Sequence, residues 1–205
     1  MELTPNRFAL NFIKINKPLM HLLFRVRFEG TENIPKSGNY IFAANHITIL
    51  DPFYVGLGSG KELYYMAKSD LFENRLLAAF LRKMNAFPVK RDTSDRASLR
   101  RAEEIIKSGG SLGIFPEGKC NLEADLPTRA KAGIGFLVAR CKCPVVPISL
   151  YNEKKGRLFS RLTVRFGKPM SCEEMGIKEK GRNDYQLIAD RVMDKIIELW
   201  RKGHA

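Results

Sequence analysis

A histidine and an aspartate stand five residues apart in the stretch NHITILDP, positions 45–52. The run before it, NYIFAA, is apolar and has the length of a buried strand, so His46 and Asp51 are expected in the turn that follows. In such a turn the carboxylate can orient one imidazole nitrogen and leave the other free to act as a base. Asn45 and Pro52 are also common turn formers. The pattern alone therefore leaves a catalytic and a structural interpretation open.

Two further polar groups follow apolar runs that are typical of strands. Arg91 comes directly after AFPVK (86–90), and Glu117 follows SLGIF (111–115). Ligands of open α/β sheets bind beyond the carboxyl ends of the strands. If these strands are neighbours and parallel, Arg91 and Glu117 converge with His46 at one edge of the sheet.

Strands and helices alternate along the chain. Strands are predicted at 24–30, 39–46, 63–68, 86–90, 111–115, 144–151 and 162–167, and helices at 74–84, 95–110, 127–141 and 184–202. This alternation indicates an α/β fold with a mixed, mostly parallel sheet flanked by helices. We expect residues 1–205 to form a single domain, in which 24–168 is the core that bears the motifs and 184–202 is a C-terminal helix.

The N-terminal segment, residues 1–23, is both apolar and basic. Thr4 and Pro5 suit the start of a helix, and Pro18 is expected to kink or restart it. An amphipathic helix of this kind can lie on a membrane, with its apolar side in the acyl boundary and cations such as Lys14 near the lipid phosphates. An ordinary helix packed on the core has the same pattern, and the sequence does not choose between the two.

The overall charge is strongly positive. Lys and Arg total 35 and Asp and Glu 22, which gives a net charge of +13. Such a protein favours nucleic acid, anionic lipid or phosphorylated ligands as partners. Nucleic acid is not expected, because helix-turn-helix, zinc-finger and RNP-like patterns are missing from the sequence. Nothing approaches 18 consecutive apolar residues, so no membrane span is predicted.

Four cysteines occur, at positions 120, 141, 143 and 172. Cys141 and Cys143 are too close for the usual zinc-binding pair, and a second pair at finger spacing is missing. No signal peptide is visible, so we expect reduced thiols in a cytosolic setting, with neither a metal ion nor a cofactor.

Two stretches resemble motifs of other chemistries. GGSLG (109–113) fits the serine nucleophile elbow of hydrolases, but that elbow needs a strand before the serine and a helix after it, and here the order is reversed. GLGSGKE (56–62) resembles a phosphate-binding loop with one residue too few between its glycines, and Glu62 replaces the Ser or Thr that would hold magnesium. We predict a flexible turn there and do not expect Ser111 to be a nucleophile.

The motifs NHITILD, AFPVKR, FPEG and VVPI follow one another in this order. Together they resemble the glycerolipid acyltransferase family, which includes the 1-acylglycerol-3-phosphate acyltransferases, and the resemblance covers residues 24–168. It implies transfer of a fatty acyl group from acyl-CoA or acyl carrier protein to the free hydroxyl of a lysophospholipid, 1-acylglycerol-3-phosphate, giving phosphatidic acid. It also implies a peripheral enzyme on the cytoplasmic side of an anionic membrane.

The resemblance assigns roles to the residues of the first motif. His46 is expected to be the general base that takes the proton of the acceptor hydroxyl, and Asp51 to orient His46 and stabilise the imidazolium. Asn45 and Thr48 are expected to contact the substrate. A thioester is already activated, so the enzyme needs no nucleophile of its own.

The later motifs are assigned to the acceptor. Arg91 is expected to bind its phosphate, because a guanidinium donates two parallel hydrogen bonds to an anion. Glu117 is expected to bind a glycerol hydroxyl or to hold basic groups in place, and Gly118 to let the backbone approach the ligand. Lys119 and Lys131 are further candidates for anion binding.

The chain departs from the usual pattern of the family after FPEG. The family continues with Thr-Arg-Ser, and this chain continues with Lys119, Cys120 and Asn121, so the usual arginine is missing. Asn85 stands where the second motif usually has glycine, and asparagine tolerates the left-handed conformation better than most residues. The departure leaves three acceptor hypotheses open: the phosphate-bearing lysolipid, another lysolipid, or an amino-lipid. A basic binding protein without catalysis is the remaining alternative.

Overall fold

The computed structural model describes residues 6–23, 25–90, 95–121, 126–154, 157, 159–178 and 182–204. These residues form a seven-stranded sheet of β1 (Arg25–Glu29), β2 (Ile41–Ala44), β3 (Leu63–Lys68), β4 (Ala86–Val89), β5 (Ser111–Ile114), β6 (Val145–Tyr151) and β7 (Arg161–Phe166). The strand order is β1-β7-β6-β2-β5-β3-β4. Neighbouring strands are parallel except for β6 and β7. The predicted mixed, mostly parallel sheet is confirmed.

Helices cover both faces of the sheet. They are α1 (Arg7–Ile15), α2 (Lys17–Leu23), α3 (Asp51–Ser59), α4 (Arg75–Lys83), α5 (Arg96–Lys107), α6 (Gly133–Cys141) and α7 (Tyr185–Trp200). Successive residues of β2 point to opposite faces. Ile41 joins an apolar cluster with α5, α6 and α7, whereas Phe42 joins a second cluster with α2 and α3. Burial on both faces explains why this strand reads as a continuous apolar run.

Helix α3 was not predicted, and the flexible turn expected at 56–62 is wrong for its first part. A Cβ atom on Gly58 would lie 2.6 Å from Phe28 Cδ1 and 2.7 Å from Phe166 Cε2. The helix therefore approaches the sheet so closely that only glycine fits, and this packing overrides the low helix propensity of glycine. The chain turns only after the helix, at Gly60, where φ is +60°.

Helix α6 begins later than predicted. The periodicity indicated a helix from 127 to 141, but the helix starts at Gly133. Thr128 hydrogen-bonds to Glu117, and Lys131 N donates to Pro116 O at 2.9 Å. These contacts hold the residues before the helix against the loop that follows β5.

The N-terminal segment is helical, as predicted, and it restarts after Asn16. The side chain of Asn6 caps α1, whereas the predicted cap, Thr4 with Pro5, lies outside the described residues. Ile13 is buried, and the Phe12 ring packs 5.3 Å from the Phe80 ring. Within the described part of the chain, no helix combines the length and apolarity needed to cross a bilayer.

Candidate active site

The carboxyl ends of β2 and β5 bring the first and third motifs together. These strands are parallel neighbours, so the residues that follow them emerge side by side. His46 N donates to Glu117 Oε1 at 3.0 Å, and Asn121 N donates to His46 O at 2.7 Å. The predicted convergence of His46 with Glu117 is confirmed. Arg91, which would follow β4, lies outside the described residues, and its predicted role stays a prediction.

His46 and Asp51 form a hydrogen-bonded pair, with 2.8 Å between Nδ1 and Asp51 Oδ2. Asp51 is fully buried at the start of α3. Its Oδ2 also accepts hydrogen bonds from Ile47 N at 2.6 Å and Thr48 N at 2.8 Å, and its Oδ1 accepts from Thr48 Oγ1 at 2.6 Å. These donors compensate the burial of a carboxylate. Because Nδ1 faces Asp51, Nε2 is the ring nitrogen left for proton transfer.

Two aromatic rings hold the imidazole in place. The Phe115 ring stacks on His46 with centroids 4.1 Å apart and an interplanar angle of 21°. The Tyr65 ring lies 6.5 Å from Phe115 and nearly parallel to it, and its hydroxyl donates to Pro52 O at 2.8 Å. Sequence reasoning missed both rings. Phe115 is the first residue of FPEG, so the motif contained a signal for it, whereas Tyr65 looks like any apolar residue of a strand.

Asn45 and Thr48 direct their side chains to the protein itself. Asn45 is 1% exposed. Its Nδ2 donates to Leu150 O at 2.9 Å, and its Oδ1 accepts from Leu150 N at 2.8 Å, which ties the end of β2 to β6. Thr48 is bonded to Asp51 and accepts from Leu50 N at 3.2 Å. These bonds do not support the predicted substrate contacts, and they favour a positioning role for both residues.

Glu117 connects three segments of the site. It is 3% exposed, and its Oε1 accepts from the backbone of His46. Its Oε2 accepts from Thr128 Oγ1 at 2.8 Å and from Asn121 Nδ2 at 3.1 Å. Sequence reasoning did not single out Thr128 or a role for Asn121. The departure from the usual third motif therefore supplies an amide that helps to fix the buried carboxylate.

Lys131 lies over the loop of the third motif. Gly118 has φ +71°, and a Cβ atom there would lie 2.9 Å from Lys131 Cδ and 3.1 Å from its Nζ. Because Gly118 has no side chain, the side chain of Lys131 can pack against the loop at this position. Lys119 is exposed, and Cys120 is half-buried. Lys119 therefore stands on the loop that starts at Glu117, and Lys131 lies over Gly118 of that loop.

The comparisons with known proteins agree with this geometry. The model of the Acyltransferase family matches residues 25–151. The chain belongs to the acyltransferase family. A 1-acyl-sn-glycerol-3-phosphate acyltransferase of Bacillus subtilis is 30% identical over 168 residues, which cover 80% of this chain and 81% of that protein. One of Streptococcus pneumoniae is 26% identical over 178 residues, covering 84% and 65%. The predicted family is confirmed.

A solved structure has the same fold as this acyltransferase. It is the crystal structure of the 1-acyl-sn-glycerophosphate acyltransferase PlsC from Thermotoga maritima, with a TM-score of 0.75 and 23% identity. The alignment covers 96% of this chain and 80% of that one.

The serine of the hydrolase-like motif is far from the pair in this acyltransferase. Ser111 begins β5, at the edge of the sheet opposite to the one where His46 follows β2. Its Oγ accepts a hydrogen bond from Tyr40 N at 3.1 Å. The Ser111 side chain thus connects the start of β5 to the residue that precedes β2. Among the described residues, no group of three or more His, Cys, Asp or Glu side chains is arranged to hold a metal ion.

Replacing Gly113 of this acyltransferase with alanine is expected to destabilise the fold by about 1–3 kcal/mol, because the new methyl group overpacks the site. A Cβ atom at Gly113 would lie 2.1 Å from Tyr65 Cε1 and would displace the ring that backs Phe115. Denaturant unfolding measures the change. Gly133→Ala is the matched control, since its nearest neighbour would be Leu99 at 3.7 Å. Equal stability of the two variants would contradict the position of Tyr65.

Proposed function

We propose that this protein transfers a fatty acyl group from an acyl thioester to the free hydroxyl of 1-acylglycerol-3-phosphate, giving phosphatidic acid. The observation that carries the proposal is the His46–Asp51 pair at the carboxyl edge of the sheet, with Nδ1 bound to a buried carboxylate. Membership of the acyltransferase family and the names of the relatives support the same reaction.

The reaction follows from the geometry of the pair. His46 Nε2 takes the proton of the acceptor hydroxyl while that oxygen attacks the thioester carbonyl. Asp51 stabilises the imidazolium that forms, since its side chain is hydrogen-bonded to Nδ1. The tetrahedral intermediate then collapses, the carbon–sulfur bond breaks, and the imidazolium returns the proton to the leaving thiolate. The stacked ring of Phe115 restricts rotation of the imidazole.

The cations near the third motif support a phosphate-bearing acceptor. Lys119 is on the loop that starts at Glu117, Lys131 lies over Gly118 of that loop, and Arg91 is the predicted third cation. A phosphate held by these groups would bring the free hydroxyl of a lysophosphatidic acid close to Nε2. Glu117, whose oxygens accept hydrogen bonds from the protein, fixes the loop rather than binding the glycerol.

The test is an acceptor series followed by release of free thiol. Purified protein, lipid vesicles and acyl-CoA or acyl carrier protein thioester are mixed with lysophosphatidic acid, lysophosphatidylcholine, an amino-lipid or monoacylglycerol. We expect thiol release that depends on lysophosphatidic acid, with phosphatidic acid as the product by mass spectrometry. Faster release with an acceptor that lacks the phosphate monoester would contradict the proposed acceptor. No release with any acceptor would overturn the acyltransferase reaction itself.

We also propose that the N-terminal helices dock the enzyme on the cytoplasmic side of an anionic membrane, as a peripheral protein. Phe8, Ile15, Leu19 and Leu22 are 43%, 77%, 51% and 65% exposed, although α1 and α2 pack on the core with their other sides. Ile49, in the loop between His46 and Asp51, is 76% exposed. Apolar side chains of this kind, flanked by exposed lysines of the same helices, suit the boundary between headgroups and acyl chains.

Replacing Leu22 with glutamate is expected to weaken binding to anionic vesicles about tenfold or more, because an apolar side chain leaves the acyl boundary and a negative charge replaces it. Co-sedimentation with phosphatidylglycerol vesicles measures the affinity. Leu187→Glu is the matched control, because Leu187 is 48% exposed on α7, away from the N-terminal helices. An equal loss in both variants would contradict docking through α2.

A further inference from the structure

A basic pocket lies on the same edge of the sheet as His46. Its volume is about 410 Å³, which is enough for a small ligand. Three of the residues that line it are cations: Arg25 at the start of β1, Arg161 at the start of β7, and Lys154 after β6. The function proposed above assigns no role to any of them.

The topology fixes where this pocket lies relative to the catalytic pair. Strand β6 is parallel to β2 and ends on the same edge, and β7 and β1 begin there because β7 is antiparallel to β6. Asn45, next to His46, is hydrogen-bonded to Leu150, and the pocket starts at Asn152. Neighbouring strands are about 4.8 Å apart, so β7 and β1 lie ~10 Å and ~14 Å from β2.

Hydrogen bonds connect the lining residues of the pocket, and the lining is positively charged. Asn152 Nδ2 donates to Ser160 Oγ at 2.7 Å, and Asn152 Oδ1 accepts from Lys154 N at 2.9 Å. Glu153 is the carboxylate among the described lining residues, against three cations. Burial, and then the positive charge of Arg161, lower the pKa of His204, which also lines the pocket. The described lining of the pocket carries more positive than negative charge, which attracts anions.

An exposed aromatic ring stands at the rim. The side chain of Phe159 is 64% exposed. Its backbone has φ +63°, a conformation that bulky residues rarely adopt. Its N–H donates to Leu23 O at 2.6 Å, which holds the segment against the end of α2. Backbone held in this way presents the ring beside the cations, where it can cover or stack on a bound group.

We propose that this pocket binds the phosphate that ends the pantetheine arm of the acyl donor. The inference rests on the proposed acyl transfer and names the part of the enzyme that holds the donor. An extended pantetheine arm has the length of about four residues of backbone, or ~15 Å from sulfur to phosphorus. An arm of this length spans the ~10 Å and ~14 Å that separate β2, which His46 follows, from β7 and β1, which begin with Arg161 and Arg25. Guanidinium groups bind phosphate through paired, charge-assisted hydrogen bonds.

The test compares two donors that differ by this phosphate, acyl-4′-phosphopantetheine and acyl-pantetheine. We expect the intact enzyme to prefer the phosphorylated donor in kcat/KM, and the double variant Arg25→Ala/Arg161→Ala to lose about tenfold or more of that preference. Lys36→Ala/Lys168→Ala is the matched control. It removes two exposed cations from the opposite edge of the sheet, and it is expected to keep the preference.

Acyl-CoA and acyl carrier protein thioesters, measured in the same way, identify the natural source of the phosphate. If the double variant loses more kcat/KM with one of these two donors than with the other, the result supports the phosphate-binding role of the pocket and identifies that donor as the natural one. An unchanged preference for the phosphorylated donor in the double variant overturns the inference. If that variant keeps the preference but loses binding to anionic vesicles, lipid headgroups are the ligand of the pocket, and the inference is again overturned. Calorimetric titration with CoA separates the two proposals. If CoA binding depends on Arg25 and Arg161 but no donor is turned over, the proposed acyl transfer is contradicted, whereas the proposed phosphate-binding role of the pocket is retained.

Discussion

Replacement of His46 with alanine is expected to lower the rate of acyl transfer by about 10²–10⁴-fold, because the acceptor hydroxyl loses its general base. The thioester remains activated and the binding groups remain in place, so the loss falls on kcat more than on KM. Release of free thiol that depends on lysophosphatidic acid measures the rate. Mass spectrometry of the lipid product separates transfer from hydrolysis of the donor.

The control for this variant is His21→Ala. His21 lies on α2 with its ring 6.4 Å from Phe28, and it is hydrogen-bonded to no catalytic residue that the structure describes. Thermal unfolding of both variants excludes loss of the fold as the cause, since the imidazole of His46 is also a packing partner of Phe115. A His46→Ala enzyme that keeps its rate, or a His21→Ala enzyme that loses it equally, would refute the base assignment.

Replacement of Asp51 with asparagine is expected to reduce both catalysis and stability. The amide has the same shape, but its NH₂ group must face N–H or O–H donors that now point at carboxylate oxygens. An unsatisfied buried group costs about 1–3 kcal/mol. The imidazolium also loses its counter-charge, and the ring loses the partner that fixes its tautomer. In a serine protease triad the same change lowers kcat by about 10⁴-fold, and we expect a loss of about 10²–10⁴-fold here.

Asp184→Asn is the matched control for this change. Asp184 caps α7 by accepting from Gln186 N at 3.0 Å and Leu187 N at 3.1 Å, and asparagine caps helices equally well. The control is expected to keep both its unfolding midpoint and its rate. If Asp51→Asn changed only KM, the carboxylate would be a substrate ligand, and the role in orienting His46 would have to be abandoned.

The altered third motif gains a physical meaning from the structure. Asn121 bonds to Glu117 and Thr128 through its side chain and to His46 through its backbone. Asn121, one of the three residues that replace the usual Thr-Arg-Ser, therefore helps to organise the loop. The cation that the missing arginine would supply has two possible replacements, Lys119 and Lys131, and the acceptor series measures whether they bind phosphate.

Local sequence determined much of this protein. Each strand is a short apolar or alternating run, and its period and length are properties of the run itself, so all seven strands were predicted within a few residues. The turn that holds His46 and Asp51 was also predictable, because the two residues are close in the chain. The residues of FPEG were recognisable as a motif for the same reason. The role of a residue was predictable where its interaction partners are close to it in the sequence.

Only the tertiary structure decided which residues meet. The FPEG loop reaches His46 because β5 is inserted beside β2, although about 70 residues separate them, and strand order is not a property of local sequence. Glycines in α3 read as a turn until the close approach of Phe28 and Phe166 is known. The sequence also did not show that the side-chain amide of Asn45 is hydrogen-bonded to Leu150 of β6. Contacts between distant segments depend on the whole packing, and they set the functions of these side chains.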